Sequence, residues 1–309
     1  MRLFNRQAIS TAAKTDAVQE NRRDRRFWRQ FGRDRAAVFG AVVLLLIVLS
    51  VVVGPFFYSV SYSELNYTQL MMPPSLAHPL GTNNLGQDQL SRILWGGRVS
   101  LAVGVSAMLM SILVGTLVGM TSGFCGGAID GILMRLTDLF LSLPRLPLLL
   151  LILYLFRDIA REAAGPELGI FFLVVFVIGG LAWMPTARLV RAGFLSVKEQ
   201  VFVQAARSLG ARPLRVVCRH ILPNVVGPVL VAATLGVGDA IITESTLSFL
   251  GISFPPDVPT WGRMLLDAQN YVSSAPYLVF FPGIAIFLTV LSVNYVGDGL
   301  RDAFDTRSS

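Results

Sequence analysis

Four stretches of the chain run without a single charge over the length of a membrane crossing: 36–58, 99–129, 168–187 and 271–297. Each matches or exceeds the roughly 20 residues a helix needs to cross hydrocarbon. Two further apolar stretches are interrupted, 133–156 by Arg135, Asp138 and Arg145, and 223–250 by Asp239 and Glu244. The pattern predicts an all-α membrane protein with six transmembrane helices, at about 37–58, 99–120, 131–156, 168–190, 223–250 and 275–297. Between the first two spans lies a polar stretch, 59–95, whose Gly, Asn and Pro residues are turn formers. The second span carries small residues along its length, including a Gly115-x-x-x-Gly119 pair that permits close helix approach in lipid. In the third span, Pro144-Arg145-Leu146-Pro147 predicts a kink with freed carbonyls, tolerated at membrane depth against protein or a water-lined cavity.

Charge then orients the spans. Of the 309 residues 53% are hydrophobic and 15% charged, against about 25% charged in soluble domains. With both termini inside, the inner segments hold ten Lys/Arg in 1–36, Arg135, seven in 188–220 and two after 297. The outer segments hold only Arg92, Arg157, Arg161 and Arg263. This positive-inside bias places both termini in the cytoplasm. It also accounts for the net charge of +7 without a nucleic-acid partner. The domains are then a basic cytoplasmic arm, 1–36, and a transmembrane domain, 37–309. The arm is too long, and lacks the small-residue cleavage site, for a signal peptide. Its cluster NRRDRRFWRQFGRDR, 21–35, is expected to lie on anionic membrane lipid with Phe27, Trp28 and Phe31 dipping into the interface.

Enzymatic and metal chemistry find little footing. Cys125 and Cys218 both fall on the inner side without CxxC partners, and His78 and His220 fall on opposite sides. No G-x-x-x-x-G-K-[ST] phosphate loop occurs, so no ATP site of that kind is expected. The chemistry that remains is intramembrane charge. Arg145, Asp239 and Glu244 either pair with one another or a neighbouring subunit, or line the route of a polar solute.

The inner segment 196–222 has an architecture of its own. Ser196-x-x-Glu199 has the form of a capping box and predicts a helix start. Phe202, Ala205, Ala206 and Leu209 then recur at helical spacing, Gly210 closes the helix and Pro213 opens a second one. There Leu214, Val217, Cys218 and Ile221 repeat the spacing, and Pro223 marks entry into the fifth span. The outer loop 251–276 adds a short amphipathic piece, 264–271, either capping the mouth of a pathway or lying in the interface. A DNA-reading helix-turn-helix would need a detachable soluble body, which spans within about ten residues on either side do not leave. The small Ala205-Ala206 pair and the apolar residues beside it predict docking into a groove of a cytoplasmic partner.

At these residues the chain resembles the integral-membrane permease subunits of ABC importers, whose loop reads E-A-A, three residues, G, and ends in L-P. Here it is Gln204-Ala205-Ala206, then Gly210, ending Arg219-His220-Ile221-Leu222-Pro223, with Gln204 replacing the glutamate. His78-Pro79-Leu80-Gly81-Thr82, Gly97-Arg98-Val99-Ser100-Leu101, Ser248-Phe249-Leu250-Gly251 and Asp298-Gly299-Leu300-Arg301-Asp302-Ala303 are similar to the C-type permeases of dipeptide and oligopeptide importers. Gln87, Arg145 and Asp239 depart from that pattern.

The resemblance implies the six-helix type I importer fold in a bacterial cytoplasmic membrane. It also implies a second homologous permease, two ABC ATPases and an extracytoplasmic binding protein as partners, with a peptide as the solute. ATP and Mg would be bound by the ATPases, leaving this chain without cofactor, metal or catalytic residue. The residues expected to couple to the ATPases are Phe202, Gln204, Ala205, Ala206, Leu209, Gly210, Arg219, His220 and Pro223. Nickel, glutathione or another small solute remains open within the family. An ion-driven carrier using Asp239 and Glu244 is the rival class, though the chain shows no convincing internal repeat of the kind such carriers carry.

Overall fold

A computed structural model describes residues 28–304 of the chain, so most of the basic arm lies outside the described residues. Among them the regular structure is helical: α1 Arg35–Phe57, α2 Gln89–Cys125, α3 Gly127–Ser142, α4 Arg145–Ala164, α5 Leu168–Gly180 and α6 Trp183–Lys198. Then follow α7 Val201–Ser208, α8 Pro213–Val216, α9 Leu222–Phe249, α10 Trp261–Ala268 and α11 Tyr277–Phe304. A single π turn, Val217–Ile221, joins α8 to α9, so that 213–249 runs as one 37-residue helix.

Six crossings are reached in two ways. Four helices are continuous and apolar over a span's length: α1, α2, the 213–249 helix and α11. The other two are broken spans, if each bent pair is one crossing: α3 with α4 at 88°, and α5 with α6 at 43°. The first break is sharper than the expected kink. Leu143 is extended (φ −77°, ψ 138°) because the ring of Pro144 disfavours the α conformation of its predecessor. Pro147 sits harmlessly in the first turn of α4, where its N–H has no helical acceptor anyway. The second break, at Leu181–Ala182, follows Gly179-Gly180 and precedes Pro185, a run of weak helix formers the apolar pattern concealed.

α2 is the central post, packed against α1, α3, α5, α6 and α9. Its approach to α6 is backbone-close. A Cβ on Gly119 would stand 2.4 Å from the Ala187 carbonyl oxygen, and one on Gly115 2.7 Å from that of Trp183. The glycine pair is thus the seam of the bundle, where dispersion contacts between backbones replace a hydrophobic effect that lipid does not provide. Val103, Ala107, Leu149, Leu153, Val174 and Ile178 fill the neighbouring core. Outward faces are equally apolar, with Leu109, Leu113 and Leu117 of α2 exposed, as lipid or a partner helix demands.

One arginine mends a proline. Pro55 lies inside α1 and cannot donate to the carbonyl of Val51, four residues back. Arg98 of α2 supplies the missing donor: Nε bonds Val51 O at 2.9 Å and Nη2 bonds Val52 O at 2.8 Å. Its guanidinium also lies over the Trp95 ring, 4.4 Å from the centroid.

The two ends of the bundle differ. At one end Gln30 Nε2 donates to Asp302 O at 2.9 Å, Arg207 lies over Phe124, and Phe304 packs on Gly227. This end gathers the start of α1, the α2–α3 turn, the 199–221 segment and the end of α11, and carries the basic residues. At the other end the 59–88 segment folds over the bundle. Asp88 caps α2, accepting from Ser91 N at 2.8 Å, and also meets Tyr58 Oη and His78 Nδ1, each at 2.8 Å. The amphipathic piece expected at 264–271 begins earlier, at Trp261, and is built into the bundle between α2, α9 and α11. Trp261 is fully buried, its Nε1 donating to Ile93 O at 3.0 Å.

Candidate functional sites: the basic-end helix pair and an ion-paired cavity

The 199–221 segment differs locally from its sequence pattern. No helix starts at Ser196, which lies in the last turn of α6, with Glu199 as that helix's C-cap. α6 runs on because Val190 and Phe194 are fully buried and Lys198 Nζ reaches Gly123 O at 3.3 Å. α7 begins at Val201 after an extended Gln200, without a side-chain cap. Its end follows expectation: Gly210 adopts φ +80°, and the chain closes with Gly210 N to Arg207 O at 2.9 Å and Ala211 N to Ala206 O at 3.1 Å.

α7 has one buried side chain. Val203 is fully buried among Val216, Val217, Ile221, Val190 and Phe194. The opposite face is open: Phe202 is 46% exposed, Leu209 88%, and Gln204 and Ala205 are exposed. Ala206 is half-buried, and Gln204 Nε2 donates to Glu199 O at 3.1 Å. Arg219 is exposed and His220 half-buried, and the His220 carbonyl accepts from Asn224 Nδ2 at 2.7 Å. Pro223 is exposed in the first turn of α9.

The second helix buries half of the expected stripe, Val217 and Ile221 but not Leu214 and Cys218. Leu214, 75% exposed, and Cys218 point outward, while Val216, Val217, Ile221 and Val225 are buried. The π turn inserts an extra residue and rotates the register from one helix into the next. Leu214 and, on α7, Val201 add to the exposed apolar patch, while Val203 is buried. Sequence periodicity missed Val201 and Val203, since the Val201-Phe202-Val203 run favours no face by itself, and it placed Leu214 on the wrong face.

Behind this element α6 is clamped to α3. Arg191 grips Asp130 with two bonds, Nε to Oδ1 at 2.5 Å and Nη2 to Oδ2 at 2.6 Å, and Ser122 also donates to Asp130. Arg188 pairs with Asp138. α6 and α3 are thus joined by charge-assisted bonds, and α7 meets α6 through Val203 against Val190 and Phe194.

The three intramembrane charges divide. Arg145 Nη1 donates to Asp239 Oδ2 at 2.8 Å, and the side chains are 38% and 56% exposed. Asp239 borders two adjoining cavities of about 350 and 160 Å³, which also share Ala182 and Pro185 at the α5–α6 break. Glu244, slightly more than one turn on, lies elsewhere. It is fully buried and accepts from Ser100 Oγ at 3.1 Å and Ser248 Oγ at 2.6 Å. Ser100 Oγ in turn accepts from Trp261 N at 3.2 Å, so Glu244 ties α2, α9 and α10 together. Among the described residues no cluster of three or more metal-ligating side chains occurs.

Comparison with known proteins gives this geometry a family. Residues 83–309 match the family described as the binding-protein-dependent transport system inner membrane component. Residues 25–74 match the N-terminal transmembrane domain of oligopeptide transport permease C. Over 283 residues the chain is 35% identical to a dipeptide transport system permease protein of Alkalihalophilus pseudofirmus, covering 92% of this chain and 90% of that one. It is 36% identical to an oligopeptide transport system permease protein of Haemophilus influenzae, covering 90% and 87%. A glutathione transport system permease protein of Pectobacterium atrosepticum is 38% identical, over 92% and 91%. The fold is similar to a chain of the MetNI methionine ABC transporter in inward facing conformations, with TM-score 0.55 and 16% identity over 70% of this chain and 96% of that one. The chain belongs to the family of inner-membrane permease components of binding-protein-dependent ABC transport systems.

Proposed function

We propose that this chain is half of the translocation pathway of an ATP-driven peptide importer, paired with a second, related permease. The observation that carries the reading is the α7 face: Phe202, Ala205 and Leu209 stand exposed on a helix anchored by a buried Val203. An exposed apolar knob on a seated helix is a docking surface in search of a groove. Two cytoplasmic ATPases bind it, one on each permease, and carry all the ATP and Mg chemistry. This chain catalyses nothing. Their closure on ATP moves α7 as a stiff body, Arg191–Asp130 passes the movement to α6 and α3, and the bundle exchanges inward and outward access. The basic end faces the cytoplasm with both termini. The opposite end, closed by 59–88 and α10, receives solute from an extracytoplasmic binding protein.

Di- and oligopeptides are the solute the dipeptide and oligopeptide permease relatives favour. Glutathione, itself a short peptide conjugate, is the second reading, favoured by relatives at 38% identity. Purification of the tagged chain from its native membranes tests the whole assembly. A second permease, ATPase chains and a binding protein carrying peptide are expected to co-purify. A chain recovered without any ATPase would refute the reading.

A further inference from the structure

Arg98 satisfies α1, yet its own charge is left without a counter-charge. Nε and Nη2 donate to neutral carbonyls, and the guanidinium forms no ion pair among the described residues. Nη1 makes no hydrogen bond there and is not sealed from its surroundings, as the corresponding atoms of Arg145 are. Around the cation stand aromatic rings: Trp95 at 4.4 Å, Phe56 at 5.7 Å, and Tyr62 packed on Trp95 at 5.1 Å. Such rings beside a long basic side chain mark the boundary between hydrocarbon and headgroups.

From this point a groove of about 510 Å³ runs between α1, α2, α9 and α11. Leu44, Val48, Val105, Val237 and Val296 are among the aliphatic residues that line it. Its one hydroxyl, Thr234 Oγ1, is used within α9, donating to Val231 O at 2.8 Å. Arg98 is therefore the only lining side chain with a free N–H or O–H to give. Along α1 the lining extends from Leu44 to Val52, about 12 Å of helix. One leaflet of hydrocarbon is about 15 Å deep, half of the roughly 30 Å core. Leu44 lies near the middle of α1 and Arg98 near its aromatic end, so the groove spans one leaflet with a cation at the headgroup level.

We propose that this groove is a phospholipid site, in which an acyl chain fills the aliphatic channel and the lipid phosphate accepts from Arg98 Nη1. Charge decides the occupant. A helix of a second permease would cover the aliphatic walls but leave the cation without an anion in a low dielectric, which is costly. Free phosphate would supply the anion and leave the groove unfilled. A phospholipid does both, at matching heights. The bound chain also joins α1 to α9 and α11 along a face where side chains leave space. In the orientation proposed above the lipid belongs to the outer leaflet; the site itself does not depend on which solute is carried.

The test uses the complete complex in nanodiscs of phosphatidylethanolamine and phosphatidylglycerol, the latter carrying a photoreactive diazirine on one acyl chain. After illumination, mass spectrometry compares label on Val48 and Val52, which line the groove, with label on Leu45 and Leu49, exposed residues of the same helix outside it. The ratio is read within each preparation, so the amount of folded complex cancels. A ratio well above one is expected in the unaltered chain. Arg98→Gln, which keeps an amide donor but no charge, is expected to lower it about tenfold, the order of a lost charge-assisted bond. Ala102→Phe, which fills the groove and leaves Arg98 in place, is expected to lower it likewise. A ratio near one in the unaltered chain overturns the proposal, since the groove then holds boundary lipid only. A ratio unchanged in both variants overturns it as well. Groove residues that stay unlabelled because the second permease covers them identify a subunit contact instead and overturn it too.

Discussion

Removing Arg98 should expose the defect that Pro55 leaves in α1. In Arg98→Leu the Val51 carbonyl loses its only donor, because Pro55 has no N–H to give it and Val51 is 4% exposed. An orphaned buried acceptor costs about 1–3 kcal/mol. Loss of the guanidinium over Trp95 adds about 0.5–2 kcal/mol. The second bond, to Val52 O, adds less, since that carbonyl keeps the Phe56 N–H within α1. The expected destabilisation is about 2–4 kcal/mol. Pro55→Ala restores an N–H aimed at Val51 O, so in the Arg98→Leu background it should recover about 1–2 kcal/mol. In the unaltered chain the same change should be close to neutral, since the carbonyl is already satisfied. Unfolding in mixed detergent micelles, read as a double-mutant cycle, measures the coupling. Strictly additive effects, with Pro55→Ala giving no rescue, would refute the assignment of Arg98 as the donor that replaces the missing helical bond.

Three further outcomes follow from the packing and the sites. Gly119→Val must push α2 from α6, because a Cβ there already meets Ala187 O at 2.4 Å; overpacking should cost about 1–3 kcal/mol or more and lower the yield of folded chain in membranes. Glu244→Gln keeps the shape and one acceptor, and the other serine hydroxyl can turn to accept from the new amide N–H, so the cost should be small, whereas Glu244→Leu strands both hydroxyls and should cost about 1–3 kcal/mol each, measured by thermal unfolding in detergent. Ala206→Glu sets a charge beside the α7 knob and should uncouple ATP hydrolysis from loaded binding protein while the spans still fold; ATPase stimulation that survives in the reconstituted complex would remove α7 from the coupling role.

Much of this architecture was legible along the chain, and the reason is the solvent. In hydrocarbon every backbone group must be satisfied within its own segment, so an apolar run of sufficient length can only be a helix. The 36–58, 99–129 and 271–297 runs therefore declared α1, α2 and α11. Gly115 and Gly119 declared a close contact, and Gly210 and Pro213 declared the corner between α7 and α8, because each rests on a backbone property local to one or two residues. Ser196-x-x-Glu199 misled for the opposite reason. A capping box competes with whatever holds the chain around it, and buried Phe194 with Lys198 on Gly123 kept α6 helical through that site.

What the sequence alone determined was the helical class, the four continuous apolar helices, the corner at Gly210 and the family motifs. Only the tertiary structure decided the partners of its charges. Arg145 chose Asp239 over Glu244 because an 88° break brings the start of α4 to the α9 face that carries Asp239, while Glu244 turns into Ser100 and Ser248 on the packed side. Likewise packing against Val190 and Phe194 settled that Val203 and Val216 are buried, while Leu214 is not. Pairing and register depend on the relative placement of helices far apart in the chain, and no local periodicity encodes that.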